Sequence, residues 1–365
     1  MSAHLILGPD APREAWLAAR LPGITASEIA AVLGISPFES PFSLHWRKRG
    51  QLGEQPDNDA MSLGRHLESW IADRYQRDHP DVTLTLAGLY ASTDRPWQMI
   101  TPDRLAYPVS DVVTAEIGCC ELHRFGPPVT YGAMAACCDP DDCGPCCPDC
   151  PTCVTLNRPE PPAFLWEGKT SATYDGWGDD GTDDIPAYYR AQTLWQADVF
   201  DLPYVDLSCL FLHTKKVRHY RIMRDETDLA FMRAEAEAFR ERVSLGDPPP
   251  IDGHVATTAA LKAIHPDVDP DAEVELPAPL ARSYRQIKAM KKRMEAREDL
   301  IENRVRAHLG RAKTANDPDG KKVASRSVFD QTRVHVETLR ALYPEVYAAC
   351  ARKSTTDKLN PGSRK

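Results

Sequence analysis

The sequence predicts a mixed α/β fold in which helices flank a central mixed sheet. In the first part of the 365-residue chain, apolar residues recur at the spacing of amphipathic helices, as in 63–75. The period then changes to the alternation that is typical of strands, as in 82–86. An apolar strand at 164–170, a helix at 186–200 and further strands up to residue 223 complete the pattern of an α/β protein.

Capping and helix-breaking residues delimit the N-terminal helices. Thr25 and Glu28 have the spacing of a capping box and precede an apolar run. Pro41 precedes a helix that we expect at 42–49, and Gly50 lies where the C-cap of that helix is expected.

Proline-rich sequence after a helix at 226–242 predicts the end of the main domain. We expect one domain at 1–250, a linker at 251–275 and a basic helical region at 276–365. Within the main domain, residues 107–162 are rich in Cys, Pro, Gly and Asp and indicate an insertion. The C-terminal region is predicted to hold a long charged helix, a short hairpin and a second helix, at 281–309, 321–329 and 336–350.

Composition indicates a soluble globular protein. The chain is 42% apolar, has a mean hydropathy of -0.43 and carries a net charge of -9. It has no apolar run that could span a bilayer, and its first residues lack the features of a secretory signal. We therefore expect it in the cytoplasm, which is the host cell's cytoplasm if the protein is phage-encoded.

Charge is unevenly distributed along the chain. From residue 282 to the end there are 21 Lys and Arg against 10 Asp and Glu, a net charge of +11, whereas the rest carries -20. A basic region on an acidic body can hold a phosphate backbone that the body alone would repel. The alternatives are an ordinary solvated helical face and a coiled coil formed by the long helix.

Four charged residues have the arrangement of a metal-dependent nuclease. Glu167 and Lys169 are two apart in an apolar strand, so they point to one face of the sheet, where two charges are costly unless they are used. Asp103 lies at the end of an earlier strand. Glu68 lies on the helix before both, where it could also be a surface carboxylate. Hydrolysis of a phosphodiester needs a divalent ion such as Mg²⁺, which takes hard oxygen ligands, and Lys169 can orient or deprotonate the attacking water.

Several stretches of the sequence together resemble one known family. They are Trp16 and Arg20 with GITASE at 23–28, LGRHLE at 63–68, TPDRL at 101–105, WEGKT at 166–170 and IPAYYRAQ at 185–192. These stretches are similar to the lambda-type phage exonucleases, also called YqaJ-like viral recombinases, of the PD-(D/E)XK nuclease superfamily. The resemblance covers 16–223, is interrupted by the insertion, and does not reach the C-terminal region.

The resemblance implies a PD-(D/E)XK core, which is a restriction-endonuclease-like arrangement of a mixed central sheet flanked by helices. It implies that Asp103 and Glu167 are the main ligands of Mg²⁺ or Mn²⁺, with Glu68 nearby. It further implies that Lys169 assists the water and that Gln192 holds the nucleophile or the lysine.

The resemblance also assigns Arg20 and Ser27 to a pocket for the 5′-terminal phosphate. A helix start favours an anion and a guanidinium adds bidentate charge, which agrees with this assignment. From the residues alone, the alternative interpretation is that Ser27 is part of a helix cap and that Arg20 forms a surface salt bridge. The family further implies a ring-shaped homotrimer and, as a partner, a single-strand annealing protein that resection would feed.

Nine of the 11 cysteines lie between Cys119 and Cys153, inside the insertion. Repeated C-x2-C spacing is typical of a tetrahedral zinc site. An iron–sulfur cluster is the rival, and we favour zinc because such clusters in the superfamily draw cysteines from both ends of the nuclease domain. A loop with reduced thiols is the remaining alternative. The candidate zinc ligands are Cys137, Cys138, Cys143, Cys146, Cys147, Cys150 and Cys153.

The sequence therefore predicts a magnesium-dependent DNA exonuclease that digests duplex DNA from its ends, 5′ to 3′, in phage-type homologous recombination. One alternative is an endonuclease or a CRISPR-adaptation-type nuclease of the same superfamily. Another is a zinc-dependent DNA-binding protein that has this fold without catalysis. The presence of Asp103, Glu167 and Lys169 argues against the second alternative.

Overall fold

The computed structural model describes residues 2–53, 58–109, 161–352 and 356–358. The chain divides into two compact units, Met1–Pro266 and Asp267–Lys365. In the first unit, the strands of two sheets are interspersed with helices along the chain, so the predicted mixed α/β class is confirmed.

The larger sheet of the first unit has five strands in the order β3-β6-β7-β8-β9. Neighbouring strands are antiparallel except β7 and β8, which are parallel, so the sheet is mixed. The middle strand, β7, is buried over its first four residues. The five strands are β3 Val82–Leu86, β6 Arg104–Pro108, β7 Phe164–Ser171, β8 Tyr204–Phe211 and β9 Lys216–Met223.

A second, four-stranded sheet has the order β1-β4-β5-β2. Its strands are short, and the first of them lies in a part of the sequence whose pattern indicates helices. They are β1 Ala3–Leu7, β2 Ile24–Thr25, β4 Leu89–Ser92 and β5 Gln98–Ile100.

Helices cover both faces of the larger sheet. On one face, Ile71 and Tyr75 of α4 pack in one buried cluster with Trp166 of β7. On the opposite face, Leu194 of α5 packs in a separate cluster with Leu165. The strand alternation of β7 therefore sends its odd-numbered residues toward α5 and its even-numbered residues toward α4. The helices of the described residues up to residue 245 are α1 Arg13–Arg20, α2 Ala26–Val32, α3 Pro41–Lys48, α4 Asp59–Asp78, α5 Ala187–Phe200 and α6 Glu226–Leu245.

The segment that we expected to be a linker contains a further helix, α7, at Val255–Ile264. Its Thr257 is buried, and the hydroxyl of Thr257 donates to Ser40 Oγ, 2.7 Å away, at the start of α3. The first compact unit accordingly extends to Pro266 rather than ending near 250. Proline signals around this segment indicated a linker, but its own alanine-rich sequence has high helix propensity.

The second unit contains the long helix α8 at Ala278–Leu309, and most of its large apolar side chains are exposed. The hairpin begins earlier than predicted, and the single helix expected at 336–350 is two helices. The second of these begins at Pro344, because proline cannot continue a helix but suits the first turn of a new one. The remaining elements are β10 Thr314–Asn316, β11 Lys322–Ser325, α9 Val336–Leu342 and α10 Pro344–Cys350. Among the helices of the described ranges, none combines the length and apolar content that a membrane crossing requires.

Candidate active site

Glu167 is the most buried charged group at the centre of the larger sheet. It lies on β7 with 2% of its surface exposed. Lys169 lies two residues further along the same strand, and its Nζ donates to Glu167 Oε1 at 2.6 Å. The structure therefore places these two residues on one face of the strand, toward α5, as the alternation of the sequence predicts.

Two amides from α5 also contact the Glu167 carboxylate. Gln192 Nε2 donates to Oε1 at 2.5 Å, and Gln196 Nε2 donates to Oε2 at 2.8 Å. The two glutamines lie one helical turn apart, so they share one face of α5. Gln192 was predicted from the sequence, whereas Gln196, which is fully buried, was not. The four-residue spacing of the two glutamines is the signal that would have identified it.

Asp103 immediately precedes β6. The register that pairs Arg104 with Trp166 puts Asp103 beside Glu167, and Asp103 Oδ2 accepts a hydrogen bond from the Gly168 amide at 2.8 Å. A side chain at residue 168 would meet the Trp166 ring at 2.8 Å, so glycine is required at this position. Strand pairing thus brings together the two carboxylates that the sequence predicts as metal ligands.

Glu68 does not join these two carboxylates. It lies on α4, and its Oε1 forms an ion pair with Arg104 Nη1 at 2.6 Å. Arg104 shares the α4 face of the sheet with its pairing partner Trp166, which explains why it reaches the helix. In the described ranges, no three His, Cys, Asp or Glu side chains are grouped so that they could hold a metal ion.

The charges at this centre perturb one another. Burial raises the pKa of Asp103 well above its ordinary value, and the carboxylates of Glu167 and Glu68 raise it further. Burial alone would lower the pKa of Lys169, but Glu167 and Asp103 outweigh burial and raise it. Lys169 therefore carries its positive charge in this arrangement.

The donor set fits a hard divalent cation. Asp103 and Glu167 are adjacent carboxylates in a poorly solvated site, and their mutual repulsion is a cost that a cation would relieve. Mg²⁺ keeps several waters and needs only one or two protein carboxylates. These two residues could therefore hold Mg²⁺ or Mn²⁺, whereas Glu68 would first have to leave Arg104.

The predicted zinc ligands fall in another part of the chain. All seven cysteines, from Cys137 to Cys153, lie outside the described residues.

Arg20 and Ser27 lie together, as the sequence analysis expected of a phosphate pocket. Arg20 Nη2 donates to Ser27 Oγ at 3.0 Å and to Thr25 Oγ1 at 2.9 Å. The guanidinium lies over the Trp16 ring, 4.1 Å from its centroid, which fixes its direction. One cation and two hydroxyls therefore converge at the start of α2.

A buried ion pair lies next to the cluster of Arg20, Thr25 and Ser27. Glu28 forms the expected capping box with the Thr25 amide and also contacts Lys48 Nζ at 2.8 Å and Arg47 Nη1 at 3.0 Å. Burial would raise the pKa of Glu28, but Lys48, Arg47 and Arg20 together lower it to about 2. Glu28 is thus ionised at neutral pH and ties α2 to α3.

Comparison with known protein families gives one match. The model of the YqaJ-like viral recombinase domain matches residues 15–202, which is slightly more than half of the chain. No curated protein matches the chain.

Solved structures with a similar chain path include an alkaline exonuclease, LHK-Exo, from Laribacter hongkongensis. The likeness has a TM-score of 0.41 at 18% sequence identity and covers 64% of this chain and 94% of the other. The structure of LHK-Exo in complex with dAMP has a TM-score of 0.38 at 16% identity, with the same coverage of both chains.

Proposed function

Since the chain belongs to the YqaJ-like viral recombinase family, we propose that it is a metal-dependent deoxyribonuclease that digests duplex DNA from its ends. The observation that carries this proposal is the meeting of Asp103, Glu167 and Lys169 at the middle of the larger sheet. A mixed five-stranded sheet covered by helices on both faces, with these residues on β7 and next to β6, supports the PD-(D/E)XK core.

Asp103 and Glu167 would hold the Mg²⁺ or Mn²⁺ ion. When bound, the ion neutralises the phosphate oxygens and acidifies a water. The Glu167 carboxylate is held in one orientation by Lys169, Gln192 and Gln196, so its geometry is set before substrate binds. Lys169 Nζ lies at this centre on Glu167 Oε1, so we infer that it orients or deprotonates the attacking water.

Arg20 and Ser27, together with Thr25, supply the binding site that we propose for a 5′-terminal phosphate. A guanidinium and two hydroxyls are suited to an anion, and a terminal phosphate carries more charge than an internal one. Capture of that phosphate would give the enzyme its 5′-to-3′ direction. The role of the enzyme would then be the resection of DNA ends in phage-type homologous recombination, with a single-strand annealing protein as the partner.

Linear duplexes with and without a 5′ phosphate test this pocket. The wild type should digest the phosphorylated duplex faster, and Arg20→Ala should lose the difference while still hydrolysing DNA. Arg13→Ala removes an exposed arginine from the same helix and should keep the preference. Equal wild-type rates on both duplexes would refute the pocket.

The proposal as a whole is tested by comparing linear with closed circular duplex in the presence of Mg²⁺. An exonuclease digests only the linear form, an endonuclease of the same superfamily cuts both, and a DNA-binding protein without catalysis cuts neither. Digestion of the circular form at the linear rate would contradict the requirement for an end.

A further inference from the structure

Phe38 is a large apolar side chain that the structure holds in solvent. It lies in the loop between α2 and α3, and 58% of its surface is exposed. The Ser36 hydroxyl accepts the amides of Phe38 and Glu39 at 3.1 and 3.2 Å, which shapes the loop around the ring. The ring therefore projects from an ordered turn rather than from a loose one.

Both sides of this turn are fixed to the helices. The amides of Ile35 and Ser36 both donate to the Ala30 carbonyl at 3.0 Å. On the other side, Glu39 accepts two hydrogen bonds from the Arg47 guanidinium, at 2.9 and 2.7 Å. Hydrogen bonds on both sides therefore hold the loop that carries Phe38 in one conformation.

A row of aromatic rings joins Phe38 to the proposed catalytic centre. The Phe38 ring meets Tyr188 edge-to-face, with centroids 5.8 Å apart and an interplanar angle of 88°. Tyr188 lies 4.3 Å from Tyr189, and the Tyr189 ring lies 5.2 Å from Lys169 Nζ. The exposed ring is thus three short contacts from the lysine that faces Glu167.

We propose that Phe38, supported by Tyr188, is a stacking platform for a nucleobase at the DNA end. A DNA strand whose backbone lies at the Lys169 centre has bases within reach of a ring this close. Stacking accepts every base because each has a π-face, so the platform suits an enzyme that digests ends of any sequence. This inference rests on the proposed function and adds a base site to its phosphate and metal sites.

Binding measurements on ends that lack single bases test the platform. Affinity for a short duplex is measured by fluorescence anisotropy without added Mg²⁺ or Mn²⁺, so that no hydrolysis occurs. Duplexes that lack one base, at each of the first three nucleotides of the 5′-ended strand, are compared with the intact duplex. One of these omissions should weaken wild-type binding about ten-fold, which is the loss of one stacking contact.

Phe38→Ala should bind the intact duplex about ten-fold more weakly and should be insensitive to that same omission, because the two changes remove one contact. Phe38→Trp should restore the sensitivity. Phe231→Ala is the matched control, since Phe231 is equally exposed, at 58%, on α6, and this variant should behave as the wild type.

If Phe38→Ala loses as much affinity as the wild type on every base omission, the platform is refuted. The ring would then be a contact for a protein. The same preparations are tested for digestion of linear duplex with Mg²⁺. Digestion without the base effect refutes the platform alone, whereas absence of digestion refutes the proposed function.

Discussion

Glu167 is a buried carboxylate in which each oxygen has an assigned donor. Lys169 and Gln192 contact Oε1, and Gln196 contacts Oε2. A carboxylate held from three directions has one favoured orientation, which is what a ligand that must present its remaining lone pairs to an ion requires. We therefore propose that Gln196 positions the Glu167 carboxylate.

Gln196→Leu should lower the affinity for Mn²⁺ about ten-fold, as loss of a hydrogen bond to a metal ligand commonly does. Titration of Mn²⁺ followed by electron paramagnetic resonance measures this directly. Gln98→Leu is the control, because Gln98 is equally buried and donates to a buried carboxylate, that of Asp198 rather than Glu167, at 2.8 Å. Wild-type Mn²⁺ affinity in Gln196→Leu would exclude the positioning role.

Part of this site was predictable from the sequence. The strand period alone puts Glu167 and Lys169 on one face, and the structure agrees. The pairing of Glu68 with Arg104 was not foreseen, because it depends on which face of β6 meets α4. Nor does the sequence show Gln196 contacting Glu167, since that contact requires the packing of α5 on the sheet.

The strands and helices with strong periodicity were predictable from the sequence, and the short edge strands were not. β7 and α5 lie close to their expected positions. β1 was missed because its five residues acquire strand structure only by pairing with β4. Strand preference in such short segments is decided by the neighbouring strand rather than by the sequence alone.

The connection between α2 and α3 depends on the buried Glu28–Lys48 pair, in which both side chains are 3% exposed. Breaking a buried pair by removing one partner typically costs about 3–5 kcal/mol. Burial lowers the pKa of Lys48 although Glu28 opposes this, so the pair itself stabilises less than the pKa of Glu28 suggests. We accordingly expect the lower end of that range.

Glu28→Gln should lower the free energy of unfolding at pH 7 by about 3 kcal/mol and flatten its dependence on acid. The pKa of Glu28 falls from 4.5 to about 2 on folding, so its stabilisation is complete above 4.5 and is lost as the pH falls toward 2. Urea unfolding between pH 7 and pH 2 measures this.

Glu39→Gln is the control for this experiment, because Glu39 also pairs with Arg47 but is more exposed, at 22%. Its replacement should cost about 1 kcal/mol or less. An acid dependence in Glu28→Gln that equals the wild type's would show that Glu28 does not stabilise the fold in this way.

The two units of the chain differ in the sign of their net charge. The second unit has 21 Lys and Arg against 15 Asp and Glu, a net charge of +6, while the first unit carries -15. We propose that the basic second unit contacts a phosphate backbone, which is the ligand that its positive charge favours. The boundary at Pro266 was not predictable, because α7 is held by Thr257, whose partner Ser40 lies far away in sequence.

The cysteine-rich segment predicts a second metal. Protein purified without chelator should contain about one or two zinc ions per chain by elemental analysis. Cys143→Ser with Cys146→Ser should lose zinc, whereas Cys350→Ser, which changes an exposed cysteine of the second unit, should keep it. A coloured, iron-containing protein would indicate an iron–sulfur cluster instead of zinc. A metal-free protein would exclude both.

We propose that the Asp103–Glu167–Lys169 centre hydrolyses DNA, and Glu167→Gln tests this because the change removes one charge and keeps the shape. The rate of Mg²⁺-dependent digestion of linear duplex is measured for the wild type, for Glu167→Gln and for Glu235→Gln, which makes the same change on the exposed side of α6. Glu167→Gln should lose about a thousand-fold in rate, roughly 4 kcal/mol of transition-state stabilisation, while its thermal unfolding stays cooperative. Glu235→Gln should match the wild type. Digestion by folded Glu167→Gln at a rate near the wild type's would show that this centre does not hydrolyse DNA.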